Sequence, residues 1–173
     1  TLPCILIALL SYGVRMFAIT AFYHRYFSHR SFKTSRFVQF LGAAVACSSG
    51  QRGPLWWAAH HRRHHRHSDT EKDTHSPNAK SFFWSHTLWF MTDYAVPTFK
   101  GEVRDWLKFR ELNFLNRFDW IPVVLLALGC YFLGESAWFQ EWTGLSGITT
   151  LIWGFFVPTI LLYHATFAVN SIA

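Results

Sequence analysis

The sequence is poor in the residues on which most small enzymes rely. Only 15% of its 173 residues are charged, against 51% hydrophobic and 19% aromatic, and its mean hydropathy is +0.12. That balance argues against an ordinary soluble domain and for membrane spans, with Trp and Tyr at the headgroup level. Cysteine is scarce: Cys4, Cys47 and Cys130 are odd in number, far apart and never in a CxxC pair. Neither a disulfide framework nor a thiolate zinc site is indicated. Carboxylates are few, ten against sixteen Lys and Arg, and no Glu-x-x-His occurs. The carboxylate-rich metal shell of soluble helical bundles is therefore absent. No internal repeat or low-complexity tract is present. The net charge of +6 does not indicate a nucleic-acid partner, because the basic residues lie beside apolar runs and serve as topology signals.

What is present is apolar length. Residues 1–22 are apolar apart from Arg15 and would run about 30 Å as a helix, the thickness of the hydrocarbon core. Arg15 is costly there and must act as an interfacial anchor or as an internal counter-charge near a substrate path. Residues 37–50 are too short to span and suit a re-entrant or surface-lying helix. Leu55 to Arg66 can be helical, residues 67–80 form a polar loop, and residues 81–118 alternate aromatics with charges as surface helices do. Two further spans follow, one from Trp120 to Trp138 and one from Ile148 onward. The expected fold is all-α: an integral membrane helical protein of one domain, residues 1–173. Its parts would be a span at 1–23, a cytoplasmic or interfacial helical cap at 24–118, and spans at 119–139 and 148–173. The chain starts without Met and reaches Ala173 inside an apolar helix, so it is expected to be a piece of a longer protein.

Charge sets the orientation. Ten Lys and Arg lie between His24 and Lys80, whereas residues 135–147 carry none, only Glu135 and Glu141. The positive-inside rule places the 24–118 region on the cytoplasmic side.

Histidine is the chemistry-bearing residue. Five of ten fall into two boxes, His24-Arg-Tyr-Phe-Ser-His29 and His61-Arg-Arg-His64-His65. Taking His61 as zero on an ideal helix, His64 falls near about −60° and His65 near about +40°, so one face offers three imidazoles to one metal or to two adjacent ones. A rival set, His60, His64 and His67, shares a face equally well. His24 and His29 are about 140° apart on a straight α-helix. They must serve different metals, or the helix must end between them. Surface histidines meeting lipid phosphates are the plainer alternative. The nearby carboxylates are Asp69, Glu71 and Asp73, so a bound metal would have a mostly imidazole shell, which suits iron, zinc or copper.

The text HRYFSH followed by HRRHH, with Asn170-Ser171-Ile172-Ala173 downstream, resembles membrane Δ9 fatty-acyl desaturases of the stearoyl-CoA desaturase type, in a bacterial-like form. Gly50-Gln51, Trp57, His67-Ser68-Asp69 and Asp73-Thr74-His75-Ser76 agree, and the resemblance covers essentially the whole chain. It implies a diiron centre of two Fe ions with His24, His29, His61, His64 and His65 as ligands and Asn170 acting through a water. His60 and His67 become flanking residues. A further ligand would follow Ala173 directly and a third histidine box would lie beyond it, so this segment alone is expected to be inactive. The implied reaction uses dioxygen and two electrons to remove hydrogens from adjacent methylenes, leaving a cis double bond, expected at Δ9. The implied partners are a fatty acyl substrate on coenzyme A, an acyl carrier or a phospholipid, an electron donor of the ferredoxin, rubredoxin or cytochrome b5 type, and membrane lipid. A kinked apolar tunnel would measure the chain, with Gln51, Trp57, Thr166 and Phe167 as candidate lining residues. Trp57 could equally be interfacial packing.

Other residues have two readings each. His75 matches a family position or is a solvated loop residue. His86 reads as packing, and His164 as a tunnel residue or a hydrogen-bonded structural one. Arg62, Arg63 and Arg66 would bind an acidic headgroup or face solvent. The competing functions are a histidine-box membrane hydroxylase or ketolase, and a non-catalytic metal transporter, which would need ligands along its spans.

Overall fold

The computed structural model describes residues 1–68, 70–73, 76–78 and 80–172, without the side chains of Asn170 and Ile172. Asp69 and His75 lie outside the described residues. All regular structure among them is helical. Pro3 opens helix α1 (Leu2–Ala18), where its missing N–H costs nothing. The same helix continues as a ten-residue π-helical stretch, Ile19–Ser28, giving an apolar rod of 27 residues, Leu2–Ser28. Leu2, Leu6, Leu9, Leu10 and Phe17 stay exposed along it, as a lipid-facing surface requires.

Helix α2 (Arg36–Cys47) starts at Ser35, whose hydroxyl accepts the Val38 N–H at 3.3 Å, satisfying a free helix-end donor. It is too short to span and packs against the first rod through Gly42, where a Cβ would overlap the Phe22 ring. Helix α3 (Pro54–His67) opens on Pro54 and buries Leu55, Trp56, Ala58 and Ala59. Its first turn is capped from outside, because Asn116 Oδ1 accepts the Trp56 N–H at 2.7 Å. Gly53 is required there, since a Cβ would strike the Asn116 backbone. Short helical turns then lead to α4 (Arg110–Arg117) and α5 (Trp120–Glu135), which meet at a 72° bend.

After α6 (Ala137–Thr143), a 23-residue apolar rod runs Gly147–Val169. It comprises α7 (Gly147–Leu151), a π-turn at Ile152–Phe156 and α8 (Val157–Ile172), which continues past it. Glu135 turns inward to accept the Gly147 N–H at 2.9 Å, at the start of this rod. Among the described residues, two helices are able to cross a membrane by length and composition, or three if α4 and α5 form one bent span. This is the all-α membrane fold expected from the sequence.

Arg15 does not reach the interface. It is 2% exposed, with Nη1 donating to Thr159 Oγ1 at 2.6 Å and Nε to Ser11 O at 3.2 Å. Ser11 donates to Gly154 O at 2.6 Å. The π-turn frees carbonyls that ordinary helix would occupy, so α1 and the last rod are joined by polar contacts inside an apolar layer. The interfacial-anchor reading gives way to an internal one.

The main core is built around the π stretch and the helices that carry and flank the histidine boxes. Tyr23 and Phe27 of the π stretch pack with Ala43, Ala46, Leu55, Ala58 and Ala59, and with Trp106, Leu112 and Leu115. That core fixes the two boxes relative to each other.

Candidate metal centre

The π stretch decides the geometry of the first box. In it the chain bonds five residues back: His29 N donates to His24 O at 3.2 Å and Ser28 Oγ to Tyr23 O at 2.8 Å. A five-residue spacing therefore stacks where α-helix would splay it. His24 and His29 come together, ring centroids 4.6 Å apart, and the helix ends at His29. The two rings converge, against the expectation from straight α-geometry.

On α3, His61 and His65 are one turn apart and share a face. His24, His29, His61 and His65 each offer a ring nitrogen, and these atoms all lie within 4.8 Å of one another. The Nε2–Nε2 separations are 3.1 Å for His24–His29, 3.2 Å for His29–His61 and 3.0 Å for His61–His65. Imidazole nitrogens about 2.1 Å from one ion, at right angles about it, sit about 3.0 Å apart. The spacing and the donor set fit a metal ion held by neutral imidazoles. Burial first, then the neighbouring rings of His65, His24, His29 and His64, push His61 down to about 2. His65 is lowered by burial and by His29 and His64. Such rings are neutral near pH 7, the form that binds metal.

His64 stands apart from this group. Its ring is 6.3 Å from His61 and 5.5 Å from His65. Its Nδ1 lies 3.0 Å from both carboxylate oxygens of Asp73, itself 1% exposed. An Nδ1–H donated to that carboxylate leaves Nε2 as the nitrogen with the lone pair and fixes the ring's orientation. The rival register finds no support: His60 faces away, its ring tilted against Trp56 at 4.3 Å with Nε2 3.2 Å from Pro97 O. Burial drives its pKa to about 4.

Arg62 is the residue that sequence reasoning misplaced. It does not face solvent or a headgroup. Its Nη2 and Nε donate to Phe27 O at 2.6 Å and Ser28 O at 3.0 Å, the closing carbonyls of the π stretch. Nη1 donates to Glu102 O at 2.6 Å, and the fork closes on both oxygens of Asp105 at 2.9 and 3.0 Å. Trp106 Nε1 adds a bond to Phe27 O at 2.9 Å. One guanidinium thus couples the end of the first box to the helix of the second. Arg66 pairs with Glu102 at 2.7 Å, and Arg63 lies 4.7 Å over the Phe99 ring. Asp105 carried no sequence signal, being one charge among many in residues 81–118.

A cavity of about 410 Å³ adjoins the histidines and shares His24 and His61 with them. Gln51, Trp57, Thr166 and Phe167 all line it, together with Met16 and Tyr163. Trp57 stacks on His61 at 4.8 Å. Gln51 Nε2 donates to Thr166 Oγ1 at 2.9 Å, and Tyr163 OH donates to Gly50 O, tying the loop before α3 to α8. That loop holds Gly50 at φ +78° and Arg52 at φ +66°. The Asn170 backbone lies in α8, while its side chain is outside the described set.

The sequence model of the fatty acid desaturase family matches residues 1–173. The chain is 31% identical to a Δ9 acyl-lipid desaturase of Arabidopsis thaliana over 175 residues, covering 99% of this chain and 53% of that protein. It is 31% identical to an sn-1 stearoyl-lipid 9-desaturase of Anabaena variabilis, covering 95% and 57%, and 32% identical to an acyl-CoA 5-desaturase of Anemone leveillei, covering 91% and 46%. The chain spans about half the length of these curated relatives. With two converging histidine boxes on an all-helical membrane scaffold and a match along its whole length, this chain belongs to the fatty acid desaturase family.

Proposed function

We propose that the full-length protein is an O2-dependent membrane acyl desaturase with two irons that places a cis double bond, at Δ9, in a saturated acyl chain. The observation that carries the reading is the cavity wall shared with His24 and His61. A largely apolar chamber that touches metal-competent imidazoles brings methylenes, rather than a polar substrate, to the metal.

In this reading His24, His29, His61 and His65 hold one iron. His64, oriented by Asp73, begins the shell of the second with Asn170 through a water, and sequence beyond the segment described supplies the remaining ligands. Bound iron would supply the oxidising power toward an unactivated C–H bond that no side chain has. The chain's residues do the rest. Trp57 and Phe167 flank the acyl chain and exclude water. The Gln51–Thr166 bond closes one wall and sets how far the chain passes the metal. The lysines and arginines of residues 24–80 keep the boxes on the cytoplasmic side, where an electron-donor protein of the ferredoxin, rubredoxin or cytochrome b5 type reaches them. The acyl group arrives on coenzyme A, a carrier protein or a phospholipid; desaturases of both acyl-lipid and acyl-CoA type are among the relatives.

Expression of the complete reading frame in a host with few monounsaturated lipids, followed by gas chromatography and mass spectrometry of its fatty acids, tests the proposal. New cis-monoenes support it. Hydroxylated or oxidised products would assign a hydroxylase or ketolase, and unchanged fatty acids from an iron-loaded protein would favour transport.

A further inference from the structure

The polar cluster where His86 meets residues 164–171 of α8 is used by nothing above. His86 sits on a short π-helical turn, Trp84–Leu88, packed against α8. Its Nδ1 is 2.8 Å from Ser171 Oγ and its Nε2 is 3.3 Å from His164 Nδ1. Positions 164 and 171 are seven apart and share a helix face, so one ring straddles two turns of α8. The direction of each bond follows from proton counting. Ser171 donates its single hydroxyl proton to Phe167 O at 2.9 Å and can only accept from His86. A neutral His86 then carries its proton on Nδ1, and its bare Nε2 accepts from the Nδ1–H of His164. Phe82 stacks on the ring at 5.3 Å and Phe167 meets it edge-on at 5.8 Å, fixing its plane.

We propose that His86 is a positioning residue that fixes the 164–171 stretch of α8, and with it the placement of the backbone at Asn170 and Ser171. The consequence for metal rests on the diiron reading above, in which Asn170 serves the second iron; the hold on this stretch of α8 does not. His86→Ala removes both bonds. His86→Asn keeps a donor near the Nδ1 position and restores the one to Ser171.

Two measurements on the full-length protein in detergent test this. In metal-free protein, hydrogen exchange of the amides at 164–171 should be about tenfold faster in His86→Ala, as loss of one tethering hydrogen bond implies, and should return toward wild type in His86→Asn. Unchanged exchange in His86→Ala overturns the proposal whatever the metal content. In iron-loaded protein, His86→Ala should fall from two irons per chain toward one, with recovery in His86→Asn. Two irons and an unaltered Mössbauer spectrum in His86→Ala would remove the metal consequence. Should His86→Ala fail to fold, Ser171→Ala severs the bond to Ser171 alone and carries the same two expectations. A wild-type protein that binds fewer than two irons defeats the diiron reading, and the exchange result still decides the role of His86.

Discussion

The guanidinium of Arg62 grips the carboxylate of Asp105 with two bonds of 2.9 and 3.0 Å while its remaining donors hold Phe27 O and Ser28 O. The end of the first histidine box is thereby fastened to the helix that bears the second. Arg62→Lys should not substitute, because a single ammonium cannot serve acceptors spread over a planar fork. Removing one partner of a partly buried, hydrogen-bonded pair costs about 2 kcal/mol after discounting for solvent. Both Arg62→Lys and Asp105→Asn should lower the thermal midpoint in detergent and reduce bound metal. A variant with wild-type Tm and wild-type metal content would show that the clamp is incidental.

The same pair predicts an acid response. Burial acts to raise the Asp105 carboxyl, but the hydrogen bonds and charge of Arg62, then the charge of Arg30, outweigh it and hold it below its ordinary 3.8. A carboxyl lowered in the folded state stabilises fully above its unfolded value, and that contribution fades as pH falls through the folded one. Stability measured between pH 6 and pH 2 should therefore drop less steeply in Asp105→Asn than in wild type. Parallel curves would contradict this.

His61 and His60 make a paired test of register. His61 Nε2 lies 3.2 and 3.0 Å from two other ring nitrogens of the group, whereas His60 bonds Pro97 O. His61→Ala should lose at least one metal per full-length chain by elemental analysis. His60→Ala should retain metal and lose the bond to Pro97 O and the packing against Trp56. The reverse pattern would restore the rival register.

Asp73 should matter through His64. Partners that orient a ligating imidazole are worth about 10- to 100-fold in metal affinity. Asp73→Asn should weaken one metal site by that factor in a competition titration with a chelator and leave the other unchanged.

Thr166 joins the cavity wall to chain measurement. Thr166→Val removes the acceptor for the Gln51 amide, and a buried donor left without an acceptor shifts to find one. Double-bond positions in the products of Thr166→Val, read by mass spectrometry of derivatised esters, should spread by one or more carbons. A single unshifted position at wild-type yield would place the control elsewhere.

Much of this architecture could be read from the chain, and the reasons for the rest are local. Apolar length revealed the rods, and the one-turn spacing of His61 and His65 revealed half of the imidazole group, because both depend on regular helix periodicity. The other half was hidden. The convergence of His24 and His29 needs a π stretch, which residue spacing does not announce. Arg62 looked like a solvated charge because its acceptors lie 34 to 43 residues away. Arg15 looked like an anchor because the acceptors that hold it, beyond its own helix, are on a rod about 140 residues later. Gln51, Trp57, Thr166 and Phe167 came from family likeness alone, and no periodicity would have found them.

The most direct test is X-ray absorption at the iron K-edge on the purified full-length protein, with iron counted per chain. The account predicts two irons, each surrounded by nitrogen and oxygen near 2.1 Å, with an imidazole scattering pattern that diminishes in His61→Ala. Iron absent from the purified protein, or an iron spectrum indifferent to His61, would contradict it.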